Sequence, residues 1–297
     1  MILDEIELII YFEVICLKNL ANPAVIKEIL KENGFNFSKS LGQNFLIDER
    51  ALGEIVSSAA PEGANVLEIG PGFGTLTQRL CESAAKVVCV EIDSAAIPIL
   101  RSNLIECNNL KIIHADIMKT DIARLSEEEF GGAPIKVCAN LPYYITSPVI
   151  MSLLNPSLPI DDITVMIQKE VAERIGAKAG TKDYGVLTLM VGYYATCEII
   201  TIVPPSSFMP PPKVDSAVIK LTMRPKPSVD VKSEEMYFKV IKAAFALRRK
   251  TLLNAISSGL AMPKDKVLSV LKNADIDEKR RGETLTDEEF ARITNCL

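Results

Sequence analysis

A chain of 297 residues suits one large domain with a smaller one attached. With 48% hydrophobic and 24% charged residues it describes a globular protein with a sizeable core, and no apolar stretch reaches the roughly 20 residues that cross a bilayer. Net charge is −5, the seven cysteines form no CxxC pair and His114 is the single histidine, which argues against a zinc site, a disulfide scaffold or a histidine-based triad and fits a reducing cytoplasm.

Met1 to Cys16 is apolar but carries Asp4, Glu5, Glu7 and Glu13, with no basic leading region and no small-residue cleavage site. Residues 1–21 therefore read as a non-native or disordered extension, with the natural start near Leu17-Lys18. Pro23 to Asn33 has helical spacing, stopped by Gly34. A donor-rich loop, Phe37 to Leu46, precedes a helix that Asp48 is placed to cap.

From Asn65 onward short apolar runs alternate with amphipathic segments. Strands are expected at Val66–Ile69, Lys86–Glu91, Lys111–His114 and Ile135–Ala139, with helices at Thr75–Ser83 and Ser94–Leu104. Alternation of this kind predicts βαβ units in a parallel sheet. Later come a helix after Pro148, a strand Ile163–Gln168, helices around Glu170–Arg174 and Tyr184–Tyr193, and strands Glu198–Val203 and Ser216–Leu221. The Pro-rich stretch Pro204 to Pro212 leaves no room for a crossover helix, so those last two strands should form an antiparallel edge pair. Arg224–Ser228 reads as a linker. The tail is helical by pattern, with Ser233 as a cap, Gly259 as a stop, and Thr286 with Glu289 as a capping box. The pattern divides the chain into an α/β domain over 22–224 and a helical domain over 225–297. The tail holds 14 basic and 11 acidic side chains, net +3, so the preceding part carries −8.

Glu68-Ile69-Gly70-Pro71-Gly72-Phe73-Gly74 follows a strand and opens a helix, so its glycines allow close approach of an adenosyl group. Glu91, at the end of the next strand, is placed to accept both ribose hydroxyls, and Asp116, after the third, to accept from an adenine amine. NAD and S-adenosylmethionine both fit this geometry.

Asn140-Leu141-Pro142-Tyr143 brings an amide and a ring together at a later strand end. The amide oxygen and the Leu141 or Pro142 carbonyl can accept from an exocyclic amine, and Tyr143, with Phe208 from the Pro-rich loop, can sandwich a nucleobase. Arg248, Arg249 and Lys250, together with Lys213, offer phosphate-binding charge. Gly176 to Gly185 reads as a loop that orders on RNA binding.

FSKSLGQNFL, EIGPGFGTLT, VEID, HADIM, NLPYYITSP, MIQKEV, VPPSSFMPPPKVDSAVIKL and AFALRRKTLLNAIS, in this order and closed by Arg281–Leu285, resemble the bacterial small-subunit (16S) ribosomal RNA adenine N6,N6-dimethyltransferases from about Asn22 to the C-terminus. The resemblance implies an α/β fold: a Rossmann-like class I methyltransferase sheet of seven strands, the last antiparallel, with a small C-terminal helical domain. It implies that Asn44, Leu46, Gly70, Glu91, Asp116 and Asn140 line an S-adenosylmethionine pocket that needs no metal. It also implies transfer of four methyl groups to N6 of two adjacent adenosines near the 3′ end of 16S rRNA, within the immature small subunit, by a cytoplasmic monomer with no membrane association. A nicotinamide-dependent oxidoreductase, a non-catalytic RNA-binding assembly factor and the related enzymes that methylate one adenosine of large-subunit rRNA are the competing readings.

Overall fold

The computed structural model describes residues 18–34 and 44–297; the expected extension through Leu17 and most of the donor-rich loop lie outside the described residues. Lys18–Ala21 belong to the packed body. Leu20 and Ala21 are buried, and Gln78 donates from Nε2 to the Lys18 carbonyl at 3.1 Å. Leu20 and Ala21, within the expected 1–21 extension, thus pack against the rest of the fold.

The helix α1 (Pro23–Glu32) starts where Asn22 accepts from the Ala24 amide. Strand β1 (Phe45–Leu46) follows, then α2 (Glu49–Ala59), whose N-cap Asp48 accepts from the Arg50 and Ala51 amides. The alternating region is β2 (Asn65–Ile69), α3 (Thr75–Ser83), β3 (Lys86–Glu91), α4 (Ala96–Asn103), β4 (Leu110–His114), α5 (Ile122–Phe130), β5 (Ile135–Asn140), α6 (Thr146–Leu153), β6 (Ile160–Gln168), α7 (Lys169–Ile175) and α8 (Val186–Tyr194). The antiparallel strands β7 (Ala195–Val203) and β9 (Ser216–Met223) close the sheet, with the two-residue β8 (Phe208–Met209) between them in sequence. Helix α5 is the element that the strand-to-strand reading passed over. Its signals were local: Asp121 caps the Arg124 amide, Gly131 closes it with φ +63°, and Ile122, Leu125 and Phe130 share its buried face.

The seven-stranded sheet has the order β4-β3-β2-β5-β6-β9-β7. The first five run parallel, β9 sits inside the sheet antiparallel to both β6 and β7, and β7 forms the edge. Alternate residues of each strand feed opposite layers. Leu67, Val88 and Val137 enter one cluster, whereas Val66, Val87 and Cys138 enter the other. Each such side chain contributes about 1.5–3 kcal/mol on burial. The chain runs outward from β2 through β4, then returns to lay β5 on the other flank of β2. That reversal opens a crevice at the carboxyl ends of β2 and β5.

The tail is four helices, α9 (Glu234–Ala246), α10 (Leu252–Gly259), α11 (Lys264–Asn273) and α12 (Asp287–Asn295). Helix α11 is a second one that the pattern reading did not separate. The Thr286–Glu289 capping box is present. Gly259 stops nothing by its backbone: it is the last helical residue, without the left-handed φ of a stop signal, and an added Cβ would lie 2.4 Å from the Ala243 Cβ. Its role is close packing of α10 on α9.

The core of the tail recruits Tyr184, Leu189 and Tyr193 from around α8. The expected linker is also tied down, with the Arg224 amide donating to the Tyr194 carbonyl and the Ser228 amide to the Tyr193 carbonyl. Gly176 to Gly185, read as an RNA-ordered loop, is held from the tail. The Gly180 amide donates to the Glu283 carbonyl at 2.7 Å, and the Arg248 guanidinium donates to the Lys182 carbonyl.

Candidate active site

The turn after β2 places Gly70, Gly72 and Gly74 at φ +67°, +58° and +94°, backbone that a side chain would strain. Space is equally limiting at two of them. A Cβ at Gly72 would sit 2.9 Å from the Phe45 ring, and one at Gly74 2.7 Å from Leu104. The turn is braced from β3: Glu91 accepts from the Gly72 amide at 3.1 Å on one oxygen and from the Asp93 amide at 2.8 Å on the other. Burial pushes the Glu91 carboxyl above the usual carboxylate range, while those two amides pull it down. Asp116, after β4, accepts from the Met118 amide and stands 3.4 Å from the Lys119 ammonium.

A cavity of about 290 Å³ lies at the crevice. Asn44, Leu46, Gly70, Glu91, Asp116 and Asn140 all line it, as do Leu141, Pro142, Tyr143 and Phe208. The residues that motif reading missed are apolar. Ile92 and Met118, each about half exposed, flank Glu91 and Asp116 on the cavity wall, and only their position one or two residues past an acid could have marked them.

Asn140 ends β5, and its Nδ2 donates to the Asn44 carbonyl at 3.1 Å. The Oδ1 makes no hydrogen bond to the described residues. The Pro142 carbonyl already accepts from the Ile145 amide and the Thr146 hydroxyl, both at 3.2 Å. Of the two backbone acceptors considered from sequence, the Leu141 carbonyl is therefore the one with its lone pairs available. Tyr143 is half-buried, its hydroxyl 3.1 Å from the hydroxyl of the buried Ser216. Phe208 pairs with Leu46 between β8 and β1, and at 4% exposure most of its ring is committed to the core beneath the cavity. Tyr144, 60% exposed, is the open ring at the cavity mouth, one residue beyond the tetrapeptide. The Pro-rich loop is anchored by Ser207, which donates to the Asp48 carboxylate at 2.6 Å and holds that acid below its usual range.

The basic residues divide into two places. Arg248, Arg249 and Lys250 occupy the turn between α9 and α10 rather than a helix face, exposed, with Arg248 3.3 Å from Glu283. Lys213 lines a second cavity that none of those three lines.

A family model described as ribosomal RNA adenine dimethylase matches residues 34–296. The chain belongs to the ribosomal RNA adenine dimethylase family. It is 51% identical over 93% of its length to a ribosomal RNA small subunit methyltransferase A of Alkaliphilus metalliredigens, covering 96% of that relative. The same-named protein of Clostridioides difficile is 47% identical, over 94% of this chain and 96% of the relative. Among solved structures, a dimethyladenosine transferase from Plasmodium falciparum matches with TM-score 0.69 and 29% identity, over 84% of this chain and 95% of that one. The 23S rRNA methyltransferase ErmE matches with TM-score 0.65 and 26% identity, over 85% and 99%. The ribosomal RNA adenine dimethylase assignment, with the class I methyltransferase sheet and appended helices, sets aside the nicotinamide-dependent oxidoreductase.

Proposed function

We propose that this protein dimethylates N6 of two adjacent adenosines near the 3′ end of 16S rRNA, four methyl groups in all, in the immature small subunit and in support of its maturation. The observation that carries this reading is the Asn140 amide, held by Asn44 at the wall of a cavity whose other side is the glycine turn and Glu91.

The cavity suits S-adenosylmethionine. Glu91 offers carboxylate oxygens to ribose hydroxyls, Asp116 accepts from an adenine amine, and Ile92 and Met118 give apolar surface for the ring. Gly70, Leu46 and Asn44 complete the floor and wall. When bound, that cofactor supplies a methyl group already activated on a sulfonium.

The chain's own residues then position the acceptor. At the first transfer Asn140 Oδ1 and the Leu141 carbonyl accept hydrogen bonds from the two N6–H groups, which disfavours delocalisation of the nitrogen lone pair into the ring and aims it into the cavity; the N6 proton displaced at each methylation passes to solvent. Tyr143 stacks on the flipped base, contributing roughly 1–3 kcal/mol. Pro142 fixes the backbone of the turn, and Phe208 supports the opposite wall. Alignment of this kind lowers a transfer barrier by at most about 7–11 kcal/mol without a metal or a strong base.

The division of labour follows the chain: residues 18–224 hold cofactor and base, and 225–297, with Arg248, Arg249 and Lys250, grip the rRNA backbone together with Lys213. Among the described residues no helix is long and apolar enough to cross a membrane. The protein acts in this reading as a cytoplasmic monomer. Incubation with labelled S-adenosylmethionine and unmodified small subunits should yield dimethyladenosine at two neighbouring positions. Label confined to large-subunit rRNA, or no transfer to either, would overturn the proposal.

A further inference from the structure

Two of the motifs, Met166–Val171 and Lys213–Ser216, contribute little to the pocket described above, yet they meet. Gln168 pairs with Ser216 across β6 and β9, and the Lys169 amide donates to the Asp215 carbonyl at 3.0 Å. Between them opens a second cavity of about 450 Å³, lined by Gln168, Lys169, Glu170, Glu173, Lys213 and Asp215 among others.

Ser216 links the two cavities: it follows Asp215, which lines the second, and its hydroxyl lies 3.1 Å from that of Tyr143, which lines the first. Asn140 pairs with Met166, so Gln168 lies one strand over, about 5 Å, and two residues on, roughly 7 Å. A single sugar–phosphate link bridges such a step.

The second cavity has the donors and acceptors of an adenosine site. The Gln168 amide makes no hydrogen bond within the described residues, and one amide presents the donor and acceptor that match an adenine edge. Lys213 is exposed and makes no ion pair within the described residues, as a phosphate ligand requires. Glu173, likewise without an ion pair there, can accept from an exocyclic amine.

Resting on the function proposed above, we infer that this cavity binds the adenosine next to the one being methylated, with Gln168 reading its base and Lys213 holding its phosphate. The partner nucleotide is parked there while its neighbour reacts. Recognition of adjacent adenosines as a pair is then built into the carboxyl edge of the sheet.

The test pairs protein and RNA changes. Small subunits are rebuilt on rRNA in which one of the two adenosines is abasic, and methylation of the other is followed with the unaltered protein and with a Gln168→Ala/Lys213→Ala variant. Loss of the neighbouring base should lower kcat/KM about tenfold for the unaltered protein and leave the variant's already reduced value unchanged, with S-adenosylmethionine affinity the same in both. Gln168→Glu, which keeps the side-chain length but loses the amide donor, should also lose the dependence on the neighbouring base. An equal abasic penalty in the unaltered protein and both variants would overturn the subsite while leaving the methyltransferase reading in place. Absence of transfer by the unaltered protein to intact subunits would overturn that reading and the subsite with it.

Discussion

The Asn140 amide nitrogen lies 3.1 Å from the Asn44 carbonyl, a contact that spans 96 residues of chain and decides which way the amide oxygen points. Asn140→Asp removes the donor and sets a carboxylate against that carbonyl, and Asn140→Ala removes both groups. Both should lower single-turnover methyl transfer on the order of 10²–10³-fold, the scale of losing one oriented polar group at a reacting centre. Rapid-quench measurement with saturating cofactor checks it; a loss under tenfold would remove Asn140 from the chemistry.

Tyr143 offers a cleaner separation of ring from hydroxyl. Tyr143→Ala should cost roughly 1–3 kcal/mol of base stacking, about 5–150-fold in kcat/KM for rRNA. Tyr143→Phe keeps the ring and loses only the bond to Ser216, so its rate should fall less than about tenfold. Equal losses in the two variants would assign the effect to the hydroxyl.

Glu91 should make cofactor binding pH-dependent. Its carboxyl titrates above the usual range because it is buried, and only the ionised form can accept from both ribose hydroxyls. Affinity should therefore be full above that raised value and decline as pH falls through it. Glu91→Gln should bind about tenfold or more weakly at neutral pH and lose this acid dependence. Calorimetric titration from pH 5 to 8 reads both.

Glu68 lies in the sheet behind the glycine turn, 1% exposed, accepting from the Cys89 thiol at 3.2 Å. Burial pushes its pKa up to about 7, from an ordinary 4.5. The folded protein thus holds a proton that the unfolded chain has released between those values, so stability falls as pH rises across that window. Glu68→Gln should match the unaltered protein near pH 4.5 and exceed it above pH 7, by on the order of 3 kcal/mol. Denaturant midpoints at several pH values check the crossing.

Gly259→Ala tests the packing of the tail. A methyl group there would overlap Ala243 on α9, so the substitution should destabilise by roughly 1–3 kcal/mol despite alanine's better helix propensity. Thermal unfolding reads it, and an unchanged or raised midpoint would place no constraint on the α9–α10 contact.

Much of this architecture was readable in one dimension. The alternating strands and helices, the glycine turn, Glu91, Asp116 and the tetrapeptide announce themselves by local spacing, and local spacing is what periodicity measures. What escaped was of two kinds. Helix α5, with a cap at Asp121 and a stop at Gly131, and helix α11 are local elements whose signals lie between stronger neighbouring patterns. The second kind joins residues far apart in sequence: Gly180 against Glu283, Asn44 against Asn140. No window along the chain contains both partners. The choice of the Leu141 over the Pro142 carbonyl likewise needed the turn that engages Pro142 to be seen.

Helix α8 serves two cores at once, giving Leu189 and Tyr193, with Tyr184 just before it, to the tail and Val191 to the sheet, while running without interruption into edge strand β7. In the proposed function, a load that rRNA places on the tail would pass through this helix to the sheet. Severing the chain at Arg224 would strip the helix of its tail contacts and bare three large side chains to water, leaving a truncated enzyme that clumps before it can be assayed.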